Sequence, residues 1–186
     1  MRWVWLAIAT SLLFVGGAEA QRGRSSGNVS TPAFSASGYD PVPSDPTTPP
    51  CTHWASNNAT AGQPGTQAAP FRPVDFWSVS PIAGKVLCLN DGVYQGANFM
   101  IVPTIGLSGT SDANRITVRS LNDGGATIDG QYTNLTVKLR QNSWWRLQGF
   151  NVKQSSGSVI EIGDGIAGAN NNIVRRVVAW DAPMDQ

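Results

Sequence analysis

NSWWRLQGFNVK, residues 142–153, is followed by NNIVRRVVAWDA, residues 171–182, and the two share a plan. An offset of thirty sets Asn142 on Asn172, Leu147 on Val177, Phe150 on Trp180 and Asn151 on Asp181. A weaker echo, NRITVRSLN, begins at Asn114. Short apolar segments that recur in this way, with Asn and Gly between them, are what a β-solenoid requires. One coil cannot bury its own apolar row and must stack on the next. A two-sheet sandwich is the competing architecture, but it predicts no repeat.

Outward from this pair the same grammar holds from residue 84 onward. The segments are KVLCL (85–89), NFMIV (98–102), RITVRSL (115–121), ATIDG (126–130), NLTVKLR (134–140), WWRLQGFNV (144–152), SVIEIG (158–163) and NIVRRVVAW (172–180). Several alternate: Ile116 and Val118 face one way, Thr117 and Arg119 the other. Leu135, Val137 and Leu139 likewise oppose Thr136, Lys138 and Arg140, and Ile160 with Ile162 opposes Glu161. Period-two alternation is the signature of strands, and no helical period is found after residue 20. The fold class is all-β. A charged content of 13%, with 20 Gly and 12 Pro, fits turn-rich β structure better than helix.

The first twenty residues form a separate unit. Arg2 precedes an apolar run from Trp3 to Gly17, and Ala18-Glu19-Ala20 offers small residues at the cleavage positions. This is a secretory signal peptide, too short to be read as a membrane span, so the mature chain is expected to be secreted, extracellular or periplasmic. Residues 21–50, rich in Ser, Thr, Gly and Pro, read as a disordered linker, and residues 51–186 as the folded module. Thirteen basic and twelve acidic residues give a net charge of +1, which argues against nucleic acid or an anionic membrane as a partner. Cys51 and Cys88 lie in an exported chain, where either a disulfide or two separately buried thiols is permitted. Sequons begin at Asn28, Asn58 and Asn134 and matter only in a glycosylating host.

GQPGTQAAPFRPVDFWSVSPIAGKVLCLNDGVYQG, residues 62–96, carries a more specific pattern. It resembles the N-terminal coil of right-handed parallel β-helix proteins of the extended pectate-lyase superfamily. Their opening runs approximately strand, N-P-G-T, P-F, a short helix, P-G, strand and D-G-x-Y. Here Gln63-Pro64-Gly65-Thr66, Pro70-Phe71, Ala83-Gly84 and Asp91-Gly92-Val93-Tyr94 fall in that order. Gly65 and Gly92 suit turns that need positive φ. VDFWSVS (74–80) can cover the apolar interior of the first coil, as a solenoid cap must. The resemblance spans roughly residues 51–181 and implies a right-handed parallel β-helix, with its N-terminal cap and about four coils present.

The resemblance also implies a chemistry. The family includes polysaccharide lyases that cleave uronic-acid polymers by β-elimination. A cation, often Ca²⁺, or an Arg neutralises the uronate carboxylate, and a Lys or Arg base removes the adjacent proton. The leading expectation is a carbohydrate-active protein on an anionic polysaccharide, with the catalytic coils absent from this chain. Ca²⁺ is implied for a longer form only, and no metal ligands are assigned. The rivals are a non-catalytic carbohydrate-binding or adhesin-type solenoid and a nonfunctional fragment. Lys138, Arg140, Lys153 and Arg175, with Arg146 and Arg176 nearby, lie in or beside strands of neighbouring coils and are the substrate-binding candidates. Trp144 joins them as an aromatic platform, because it and Trp145 should point to opposite faces. Asp123, Asp164, Asp181 and Asp185 read as turn residues, and His53 is given no catalytic role.

NIVRRVVAW reads as one more coil, and DAPMDQ (181–186) cannot shield an apolar end. The expectation is therefore a β-helix truncated on its C-terminal side. Residues 21–186 on their own are expected to self-associate through the open coil end. Light scattering reads this directly, and a stable monomer counts against the truncation.

Overall fold

The computed structural model describes residues 48–163 and 168–183. The signal peptide, nearly all of the 21–50 linker, Asp164 and Asp185 lie outside the described residues. What is described is almost entirely β. Strands β1 (His53–Ala55), β2 (Val86–Leu89), β4 (Ile116–Ser120), β7 (Trp145–Gln148) and β10 (Ile173–Arg175) form sheet A, paired in that order. Strands β3 (Gly92–Gln95), β5 (Ala126–Asp129), β8 (Asn151–Lys153) and β11 (Val178–Trp180) form sheet B. Strands β6 (Val137–Leu139) and β9 (Ile160–Ile162) form sheet C, extended by an isolated bridge from Ile101 to Val137. Every strand pair is parallel. The chain passes from A to B to C and back to A, so each strand lies on the strand one circuit earlier, an arrangement compatible with a β-solenoid.

Register shows what the stacking buries. Leu87, Val118, Leu147 and Val174 are Cα partners along sheet A. Tyr94, Ile128, Val152 and Ala179 are partners along sheet B. The first three of each row are fully buried, with Ile101, Val137 and Leu139 closing the third side. Fully burying one such side chain contributes about 1.5–3 kcal/mol. On the outermost described strands the rows are open, and Val174 is 42% exposed.

Two sequence expectations change here. Strands β7 and β10 pair with Leu147 opposite Val174, not Val177, an offset of twenty-seven rather than thirty. The thirty-residue match is real only for the asparagines: Asn172 Nδ2 donates to the Asn142 carbonyl at 2.8 Å. Arg146 stands four residues after Asn142, whereas its register partner Ile173 stands one after Asn172, which accounts for the difference of three. WWRLQGFNV and NIVRRVVAW are also not single strands. Each turns a corner, at Gly149-Phe150 and at Arg176-Val177, and continues in sheet B. Phe150 is fully buried and Val177 packs against the core, so both corners keep an apolar side chain inside.

The 62–96 stretch behaves as its pattern requires locally. Gly65 has φ 73° and Gly92 φ 142°. A Cβ on Gly65 would lie 2.1 Å from the Phe71 ring, which leaves no room for a side chain. The one α-helical turn among the described residues, α1 (Pro73–Phe76), starts on a proline, and the Asp75 carboxylate holds the Arg72 guanidinium at 2.8 Å. Phe76 and Trp77 enter the core, and the Trp77 ring lies 5.6 Å from that of Trp145 in β7. The capping segment thus reaches two strands beyond β2 in sheet A rather than covering the first coil alone. Cys51 and Cys88 are joined by a disulfide that closes a loop with a sequence separation of 37. Leu147→Ala, which hollows the middle of the sheet A row, is expected to lower unfolding free energy by about 2–5 kcal/mol in urea titration.

Candidate functional site

The three outer faces differ in charge. On sheet C, Lys138 is the register partner of Glu161, and its Nζ lies 2.8 Å from Glu161 Oε1. On sheet B the outward row runs Gln95, Asp129, Lys153, Trp180. Asp129 Oδ2 accepts from Gln95 Nε2 at 3.0 Å and lies 3.4 Å from Lys153 Nζ, while its Oδ1 accepts the Gln131 N–H. Burial pushes the Asp129 carboxyl up, but Gln95, the Gln131 amide and Lys153 together outweigh it and hold the group below the usual carboxylate range. Trp180, 39% exposed, ends this row.

Sheet A is different. Its outward positions carry Cys88, Arg119, Gln148 and Arg175 in one row, and Val86, Thr117, Arg146 and Ile173 in the next. Arg115 precedes β4 on the same side as Thr117 and Arg119 by strand alternation. A cleft of about 200 Å³ opens here, walled by Pro49, Val86, Asp112, Arg115, Thr117 and Arg146 among others. Arg115 is held in place: Asp112 Oδ1 lies 2.6 Å from its Nε, it donates to the Asn171 carbonyl, and its guanidinium sits 5.2 Å above the Trp144 ring. Arg119 donates to the Ser120 carbonyl at 3.0 Å and to Cys51 Sγ at 3.2 Å. Burial pulls its guanidinium below the ordinary arginine value. A second, more open cleft of about 420 Å³, lined by Ala97, Met100, Val102 and Leu135 among others, has no ionisable side chain in its wall.

The five sequence candidates do not converge. Lys138 belongs to sheet C, Lys153 to sheet B and Arg175 to sheet A, so they make no common row. Their strands lie on different sides because the chain turns from sheet C to sheet A between Leu139 and Trp145, from A to B at Gly149-Phe150, and passes through sheet C before it re-enters A at Ile173. Arg140 follows β6, and its Nε is buried without a hydrogen-bond partner. Trp144 sits at the corner before β7 with φ 60°, half-buried under Arg115, while Trp145 is fully buried. Arg175 alone shares the face that gathers basic groups. The residues overlooked there are Arg115, Thr117 and Arg119, and the alternation within RITVRSL already put them on one side. Among the described residues no group of three or more His, Cys, Asp and Glu side chains is placed to hold a metal ion, and no helix is long and apolar enough to cross a membrane.

Comparison with known proteins adds no name: no family model matches the chain, and no curated protein or solved structure does.

A carboxyl held low in the folded state stabilises above its unfolded value, and that stabilisation is lost as pH falls through the folded value. Asp129 is expected to contribute to stability above about pH 4 and to lose that contribution in more acid solution. Asp129→Asn should flatten the slope of unfolding free energy against pH below that point, read by urea titration at a series of pH values.

Proposed function

We propose that this chain is a secreted right-handed parallel β-helix that binds an anionic, uronic-acid polysaccharide along the outer face of sheet A. The observation that carries the reading is the in-register placement of Arg119, Gln148 and Arg175 beside Thr117 and Arg146, bordered by the cleft at Arg115. Adjacent strands lie about 4.8 Å apart, so the row offers basic and amide groups at a regular spacing to an extended chain. Arginine suits it because its planar fork grips a carboxylate with two parallel hydrogen bonds. The export signal and the resemblance of residues 62–96 to pectate-lyase-like β-helices point to the same substrate class.

Binding, rather than cleavage, is the activity these coils support. β-Elimination needs a cation or Arg on the uronate carboxylate and a base beside the adjacent C–H. Arg119 is the described arginine that burial makes less basic, and it lies against Cys51 Sγ rather than facing open solvent.

Calorimetric titration with oligogalacturonate tests the reading. Binding is expected at low salt, weakening steeply as ionic strength rises to about 0.5 M, where screening acts within a few ångströms. Arg146→Gln should weaken it about tenfold, near 1.4 kcal/mol. Equal affinity for a neutral oligosaccharide of the same length would sink the proposal.

A further inference from the structure

The middle of the sheet A face is covered by the chain's own segment Thr48–Cys51. Thr48 Oγ1 accepts from Gln148 Nε2 at 2.9 Å, and Cys51 Sγ accepts from Arg119 Nη2 at 3.2 Å. Cys51 is bonded to Cys88. Because Cys88, Arg119 and Gln148 are register partners on three successive strands, the segment runs across the strands along the row, and Pro49 forms part of the cleft wall. An extended polysaccharide on this face would follow the same track.

The strap fits the row poorly. Pro49 and Pro50 have no backbone N–H to offer. Beneath the strap two polar atoms are buried without a hydrogen-bond partner, Arg119 Nε and Gln148 Oε1. Gln148 is only 2% exposed, so water does not readily serve it. A buried polar atom left unpaired is destabilising, because it has given up its hydrogen bonds to water for nothing in return. Arg119, half-buried, is held by a carbonyl and a sulfur, with no carboxylate among its contacts. An unpaired cationic donor thus lies one strand spacing from an unpaired amide acceptor. A ligand that presents a carboxylate and a neighbouring hydroxyl satisfies both: the carboxylate accepts from Arg119 and the hydroxyl donates to Gln148. Acidic sugars carry that pair of groups on one ring.

We infer that Arg119 and Gln148 form a subsite for an acidic sugar, and that the strap Thr48–Cys51, tied down by the Cys51–Cys88 disulfide, occupies it in competition with the ligand. The inference rests on the reading of sheet A as a polyuronate-binding face and adds the place, the ligand groups and the occlusion.

Trigalacturonate is the probe, titrated into three forms of the full chain: the native sequence, Cys51→Ser/Cys88→Ser, and Thr48→Ala/Pro49→Gly/Pro50→Gly, which keeps the disulfide. Both loosened forms are expected to bind at least fivefold more tightly than the native chain, and Arg119→Gln added to either should remove the gain. Should the cysteine variant fail to fold by circular dichroism, the disulfide-bearing variant decides alone. Binding by the native chain with no gain on loosening, or a gain that survives Arg119→Gln, overturns the strap and its subsite while leaving the face intact. Absence of binding in every form overturns the face itself.

Discussion

Parallel, in-register stacking of one circuit on the next is the constraint on which everything else in this molecule depends. Side chains alternate along a strand, so a slip of one residue would move Leu87, Val118 and Leu147 from the interior to the outside and bring Cys88, Arg119 and Gln148 inward. Burial of the aliphatic row forbids that slip. The same register therefore positions the outer rows, although no contact between the outer residues is needed to align them. Arg119, Gln148 and Arg175 line up because Val118, Leu147 and Val174 do.

The corners between sheets A and B carry this register from one face to the next. Gly149 and Arg176, twenty-seven residues apart, occupy the same corner with φ 71° and 51°, and Gln154 and Asp181 end the following strands with φ 52° and 54°. A left-handed backbone is uncommon for residues other than glycine and persists where its surroundings hold it. Asp123 supplies part of that hold: its Oδ1 takes Arg176 Nε at 3.1 Å, and the same oxygen lies 2.4 Å from where a Cβ on Gly149 would stand. One turn carboxylate thus serves two successive corners. That gives Asp123 a structural role at the corners.

Strand alternation, the parallel repeat and the glycine turns at Gly65 and Gly92 were legible in the sequence because each leaves a local mark. The offset between coils was not, because Asn142 and Asn172 match at thirty while the strands match at twenty-seven. The corners were hidden for a related reason. Phe150 and Val177 are apolar and point inward, so the hydrophobic pattern continues straight through each bend. Once the bends were missed, Lys138, Lys153 and Arg175 looked like neighbours, although they belong to three sheets. RITVRSL was the opposite case: it contains no bend, and its alternation put Thr117 and Arg119 on one side, although neither was among the binding candidates. The cover over that face left no sequence mark, since a Thr- and Pro-rich stretch reads as linker whether or not it docks.

Stability and recognition are separated by this architecture. Inside, the aliphatic rows and the aromatic cluster of Phe71, Phe76, Trp77 and Trp145 supply the burial. A single buried Leu147 contributes about 1.5–3 kcal/mol, the same order as the penalty for one unpaired polar atom. The fold can therefore carry Arg119 Nε and Gln148 Oε1 unsatisfied on its outer wall without losing its register. An α/β domain with helices on both faces of its sheet has little such latitude, because both sides of most strands contribute to the core. In a stacked coil the outer positions are free of that duty, and a polar row there answers to what lies on it. Here a strap with no backbone donor at Pro49 or Pro50 lies on it, and two of the row's polar atoms stay unpaired. The strap lies along the face where basic side chains align, which ties it to the ligand-binding question as well as to folding.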